Sequence, residues 1–254
     1  MSINVSRVTG VLGAAVAIAV LAAPLSAAAP ITTGPGATRV GIDAAGRVLP
    51  ASPTGRAVSA PGDGVPDIQW PPPGVVPPKY PASTLRGFAA AMGDHLATAF
   101  PAAVPQAQDM QLIPWGGERT GVIVDGQDYL TTFAVYHDSI GRTAAAYEID
   151  APGHFTTTPR QMCTIEEVLS CTATSQPDGS LVLHRLSAVK RTQGADLHAE
   201  EAVHYRLDGS VVWLTAYDYD PIFDGSPDAG PVRDRIALTT DQLTSLATDP
   251  AIHL

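Results

Sequence analysis

His198, Glu200 and His204 alternate along the run Leu197–Leu207, and Trp213, Tyr217 and Tyr219 fall in the next run, Ser210–Tyr219. Imidazole and carboxylate groups beside aromatic rings suit contact with a sugar, a peptide or a small ligand. The rings offer apolar area and the polar groups fix orientation. Asp208-Gly209 between the two runs reads as a two-residue hairpin turn. Counting outward pairs Leu207 with Ser210 and sets His204 opposite Trp213, Glu200 opposite Tyr217 and His198 opposite Tyr219. His198, Glu200, His204 and Arg206 then share one face with Val211, Trp213, Tyr217 and Tyr219, and Val203, Tyr205, Val212 and Leu214 take the other. This is the candidate ligand face. The competing expectation is an ordinary half-exposed strand surface, or one covered by a helix. A metal held by His198, Glu200 and His204 fails on reach, because six residues of extended chain separate the outer two by roughly 20 Å.

Other chemistries leave weaker traces. Asp218, Asp220, Asp224 and Asp228 form an acidic stretch that invites Ca²⁺, but the spacing is not that of a twelve-residue EF-hand loop. A solvated acidic loop explains it as well. There is no Gly-x-Ser-x-Gly elbow, His-Glu-x-x-His helix, phosphate-binding loop or dinucleotide fingerprint. No catalytic residue, metal or cofactor is therefore expected. Cys163 and Cys171 are the two cysteines, and their spacing is not that of a redox-active CxxC pair. In an exported chain they form a structural disulfide.

The elements that must position these residues begin after an export signal. Residues 1–28 combine a short start bearing Arg7, an apolar stretch from Val8 and the small-residue site Ser26-Ala27-Ala28. That is the pattern of a secretory signal peptide. The apolar stretch is also about as long as the roughly 20 residues that span a bilayer, so a retained anchor is the alternative. Either way the rest of the chain is expected outside the cytoplasm, secreted or tethered to the envelope. Residues 29–82 carry Gly34-Pro35-Gly36, Pro61-Gly62-Asp63-Gly64 and Pro71-Pro72-Pro73 without a hydrophobic period. They read as a disordered linker, either a spacer or a plain disordered N-terminus.

Residues 83–254 read as a single α+β domain. Leu85, Phe88, Ala89, Met92, Leu96 and Phe100 recur at helical spacing, with Ser83 or Thr84 as cap and Pro101 as terminator. Val122–Val124, Tyr129–His137, Thr143–Ile149, Leu181–Val189, Leu197–Leu207 and Ser210–Tyr219 read as strands, and Asp125-Gly126 as the turn between the first two. Leu238–Ala247 reads as a closing helix capped by Thr239 or Thr240. The expectation is an antiparallel meander of about six strands flanked by an N-terminal and a C-terminal helix.

The tail Leu238-Thr239-Thr240-Asp241-Gln242-Leu243…Leu246-Ala247-Thr248-Asp249-Pro250 resembles that of a group of secreted or membrane-anchored actinobacterial proteins of unknown function. Their "LT..QL..iA.dP" tail follows a "dG..v" turn, to which Asp208-Gly209-Ser210-Val211-Val212 is similar. The resemblance covers about residues 163–254 and implies an envelope location with no assigned activity. Fifteen Lys+Arg against 25 Asp+Glu give a formal net charge of −10. That balance disfavours nucleic acid and anionic lipid, whose binding rests on neutralising phosphates. The membrane is then reached only through a retained leader. The leading expectation is a non-enzymatic binding or interaction module for an envelope or extracellular ligand or protein. The alternatives are a secreted hydrolase with a non-obvious site and an extracytoplasmic inhibitor or immunity-type protein.

Overall fold

The computed structural model describes residues 62–165, 167–189, 196–222 and 231–254. The leader, residues 29–61 of the expected linker, and Asp224 and Asp228 of the acidic loop lie outside the described residues. Residues from Ser59 to Leu254 form one compact unit.

The element order is α1 (Ala82–Ala103), β1 (Gln108–Leu112), β2 (Tyr129–His137), β3 (Arg142–Asp150), α2 (Pro159–Met162), β4 (Val168–Ser175), β5 (Leu181–Val189), β6 (Leu197–Tyr205), β7 (Val211–Tyr217) and α3 (Thr240–Ala247). The strands make one antiparallel sheet in the order β1-β2-β3-β7-β6-β5-β4. The architecture is α+β, with seven strands rather than six.

Two strands were not expected and one expected strand is absent. β1 is an edge strand that pairs only with β2. β4 is rich in Ser and Thr and reads as loop, yet Cys171 is buried and bonded to Cys163. The disulfide expected from the compartment is therefore present, and it anchors β4 to the segment just after α2. Val122–Val124 is not a strand, because Val122 and Val124 point into solvent and have nothing to pack against. That stretch is a loop closed on itself by Gly117 N–H to Val122 O and Gly121 N–H to Pro114 O.

One face of the sheet carries the larger core. Leu85, Met92, Leu96 and Phe100 of α1 and Leu243, Leu246 and Ala247 of α3 pack on Leu130, Tyr136, Tyr147, Ile149, Val212 and Leu214. Helical spacing on one side and a period of two on the other produce this layer directly. α3 is capped as expected: Thr239 accepts from Gln242 N–H, and Gln242 reaches back to the Thr239 N–H. α1 is not. Its N-cap position is Pro81, with no side-chain cap, and the Ala82 N–H donates instead to Asp125 Oδ1 at 2.7 Å. The helix also runs past Pro101 to Ala103 rather than stopping there as expected.

The opposite face is covered by an unexpected element. Residues 62–81, read as linker, form a strap whose Val65 and Trp70 are buried with Met162, Leu183, Val203, Tyr205 and Val211. The Trp70 indole N–H donates to Phe155 O, and the ring meets Tyr205 edge-on at 4.9 Å. The domain thus begins about twenty residues before the expected boundary. Sparse apolar residues hide such a strap from periodicity, because extended chain anchored by two side chains has no repeat.

Candidate functional site

The β6–β7 turn decides the fate of the expected ligand face. Arg206 N–H donates to Ser210 O at 3.0 Å and Gly209 N–H to Arg206 O at 2.9 Å, so the loop has three residues, Leu207-Asp208-Gly209. Only Gly209 takes a positive φ, +88°, whereas the two-residue turn would need one at Asp208 as well. The register is shifted by one residue: His204 faces Val212, Glu200 faces Ala216 and Ala199 faces Tyr217. A shift of one sends every side chain to the other face. The histidines and the aromatics are consequently on opposite sides of the sheet, and the paired surface expected above does not exist.

Each of those residues has a structural partner. His204 is buried, with Nε2 2.8 Å from Ser180 Oγ and Nδ1 3.2 Å from Ala247 O. Burial first, and Arg206 second, hold its imidazole below the usual value, so it stays neutral. His198 Nδ1 is 2.8 Å from Asp218 Oδ2, and Glu200 Oε1 accepts from Thr240 Oγ1 at 2.6 Å. Tyr217 is buried against Tyr219, and Trp213 sits half-buried beside Phe155. The Ser180–His204 contact has the residue types of a nucleophile and its base. Both are interior, however, and the far nitrogen of the ring meets a backbone carbonyl rather than an orienting carboxylate. In the acidic stretch, Asp218 is occupied by His198 and Asp220 by Arg142 at 2.7 Å. Among the described residues no group of three His, Cys, Asp or Glu is placed to hold a metal ion.

A different group of residues converges where β2 begins and β3 ends. Tyr129 and Asp150 are direct register partners. Glu148 lies two residues before Asp150, so both carboxylates leave β3 on the strap side of the sheet. Asp128 precedes Tyr129. The chain then turns back: Ala151 N–H donates to Asp128 O and His154 N–H to Ala151 O, through Gly153 at φ +80°. This turn lays the His154 ring on Tyr129, with centroids 4.8 Å apart and planes at 21°. His154 Nδ1 is 2.7 Å from Asp128 Oδ1, while Nε2 is 3.5 Å from Asp150 Oδ1.

Asp150 is the anomaly in this cluster. It is 0% exposed, and no hydrogen-bond donor reaches either carboxylate oxygen. Burial, then Glu148, then Asp128 push its carboxyl well above the ordinary value. Glu148 is raised by burial, an effect partly offset by His154. Tyr129 is raised by burial and by Glu118, Glu148, Asp128 and Asp150. Tyr129 also walls an open depression of about 420 Å³ lined by Glu118, Arg119, Val122, Val124 and Gln127. Tyr129 is therefore shared by a surface hollow and by the sheet position beside the buried Asp150.

No protein-family model, curated protein or solved structure matches this chain. The site rests on its own geometry.

Sequence reasoning passed over this cluster. The available signal was Glu148-x-Asp150 on an otherwise apolar strand, two carboxylates at the spacing that shares a face. On its own that pattern reads as the wet side of a half-buried strand. Asp150 is instead fully buried, a property of the fold that periodicity does not report.

Proposed function

We propose that this chain is an exported or envelope-facing binding module whose contact site is the cluster of Asp128, Tyr129, Glu148, Asp150 and His154. One observation carries the reading: a fully buried carboxylate, Asp150, has no donor and lies against a half-exposed His–Tyr stack at the edge of a surface hollow. Buried polar groups are normally satisfied, and an exception calls for an explanation such as a ligand that completes it. The Cys163–Cys171 disulfide supports an oxidising compartment, as do the export pattern at residues 1–28 and the C-terminal resemblance. Among the described residues no helix is long and apolar enough to cross a membrane.

A secreted hydrolase is the second reading, and the same pair favours it. A carboxyl group whose proton is held more tightly by burial and neighbouring carboxylates is suited to general-acid work. Against it, Asp150 is 0% exposed and has no open path to solvent in this conformation.

Two measurements test the proposal. Intact mass of the exported protein reports removal of residues 1–28 and loss of two hydrogens at the disulfide. Side-chain NMR of His154 and Tyr129 during addition of fractionated envelope extract reports binding, with His204 as the interior control. The expected result is a saturable shift confined to the first two. No response from any fraction overturns the module. Chemical turnover of an added fraction that Asp150→Asn abolishes replaces it with the enzyme.

A further inference from the structure

Resting on that reading of the site, we propose that the cluster takes an organic cation rich in N–H donors, a primary ammonium or a guanidinium, carried by a free amine or a basic side chain. Asp128 and Asp150 flank a single imidazole at 2.7 and 3.5 Å, and Glu148 leaves β3 on the same face as Asp150, so the site is short of positive charge and of donors. The two Asp150 oxygens accept from nothing in the protein, and acceptors are what an ammonium or guanidinium group is built to meet. Tyr129 adds an aromatic face at the mouth, where a cation gains further attraction. A bare metal ion is the poorer match, because the described carboxylates are not gathered within one coordination sphere. Anionic ligands are repelled by the cluster and by a chain of formal net charge −10. Neutral hydroxyl ligands bring donors but leave the charge unmet.

Entry needs one movement. His154 lies against Asp150, held closely to Asp128 at 2.7 Å but only loosely to Asp150 at 3.5 Å. The imidazole can pivot about its Asp128 contact and uncover Asp150 without losing its stronger partner. Its side chain is 32% exposed, so solvent receives the displaced ring edge. The incoming N–H donors then replace the Nε2 contact.

The experiment is calorimetric titration of the full exported chain with four probes. These are Nα-acetyl-lysine methylamide, Nα-acetyl-arginine methylamide, the Nα,Nε-diacetyl-lysine methylamide that lacks charge, and calcium chloride. Saturable binding of one or both cationic probes with Kd below about 1 mM is expected, with none for the diacetyl compound. Asp150→Asn replaces an unpartnered buried carboxyl with a neutral amide of the same shape, so it is expected to fold, and to weaken binding by about tenfold or more. Glu148→Gln serves as the second variant should Asp150→Asn fail to fold, with weakening in the same direction. The proposal falls if neither cationic probe saturates, if the neutral compound binds as well, if calcium is the preferred ligand, or if the substituted chain binds like wild type. Should all four probes fail while envelope fractions still shift His154 and Tyr129, the ligand class is wrong and the binding site stands.

Discussion

Replacing Asp150 with Asn should stabilise the protein at neutral pH, and the gain should shrink as pH falls. The native carboxyl is raised above its ordinary value by burial and by two neighbouring carboxylates. A raised acid binds its proton more tightly folded than unfolded. Its contribution is therefore present in full below the unfolded value, near 3.9, and is lost as pH rises through the folded value. At pH 7 the native state must either bury an uncompensated charge or hold a proton against the solvent. The Asn amide is buried and unsatisfied in the same place, so the substitution relieves only the excess cost of a charge over a neutral group, about 2 kcal/mol. The opposing loss is the 3.5 Å contact to His154, with a side chain 32% exposed, for which well under 1 kcal/mol is appropriate. The net expectation is a gain of about 1–2 kcal/mol at pH 7 for Asp150→Asn, falling towards zero by pH 4. Urea unfolding of both chains at intervals between pH 4 and 8, followed by tryptophan fluorescence, measures the difference directly. A difference that is flat with pH, or a variant less stable than wild type at pH 7, refutes the account of Asp150 as a strained charge.

Three further outcomes follow from the packing. Removing the disulfide by Cys163→Ser with Cys171→Ser should cost about 2–3 kcal/mol in urea unfolding, since the bridge closes only a short loop. Gly209→Ala should lower the melting temperature by the equivalent of about 1–2 kcal/mol, because φ there is +88° and the new methyl would meet Val75 at 3.1 Å and Pro72 at 3.3 Å. Trp70→Ala should cost about 3–5 kcal/mol by emptying the space beside Tyr205 and losing the bond to Phe155. A chain whose stability is unchanged by that substitution would show the strap to be dispensable.

The helix-side layer was legible because its signals are local. Leu85, Ala89, Met92, Leu96 and Phe100 are one stripe of one helix, and the burial of α1 follows that stripe residue by residue. The cap of α3 was narrowed to Thr239 or Thr240 for the same reason, and it is Thr239. The hairpin partners β6 and β7 were also found, but their register was not. A single residue in the turn decides it, and Asp-Gly is compatible with loops of two or three residues. That ambiguity moved Trp213 and Tyr217 away from His198, Glu200 and His204. The site around Asp150 was illegible because its members come from three separate stretches, 128–129, 148–150 and 154, joined by a turn through Gly153. Residue types mark carboxylates in a sequence, but what lies over them is a property of the fold. The strap shows the same limit: Trp70 looks like a stray aromatic in a proline-rich run until Phe155 and Tyr205 are placed beside it.

Three of the chain's Asp-Gly pairs, Asp125-Gly126, Asp178-Gly179 and Asp208-Gly209, bear on how the molecule ages. Such pairs isomerise when the glycine nitrogen attacks the preceding carboxyl carbon to close a succinimide ring. In each case that nitrogen is already donating its proton, from Gly126 to Tyr80 O, from Gly179 to Gln176 O and from Gly209 to Arg206 O. The carboxylates are also held, Asp125 by Ala82 N–H and the other two by Ser180 and Ser210. At these three turns the fold thus guards against slow isoaspartate damage with the same bonds that shape them, and unfolding removes that guard.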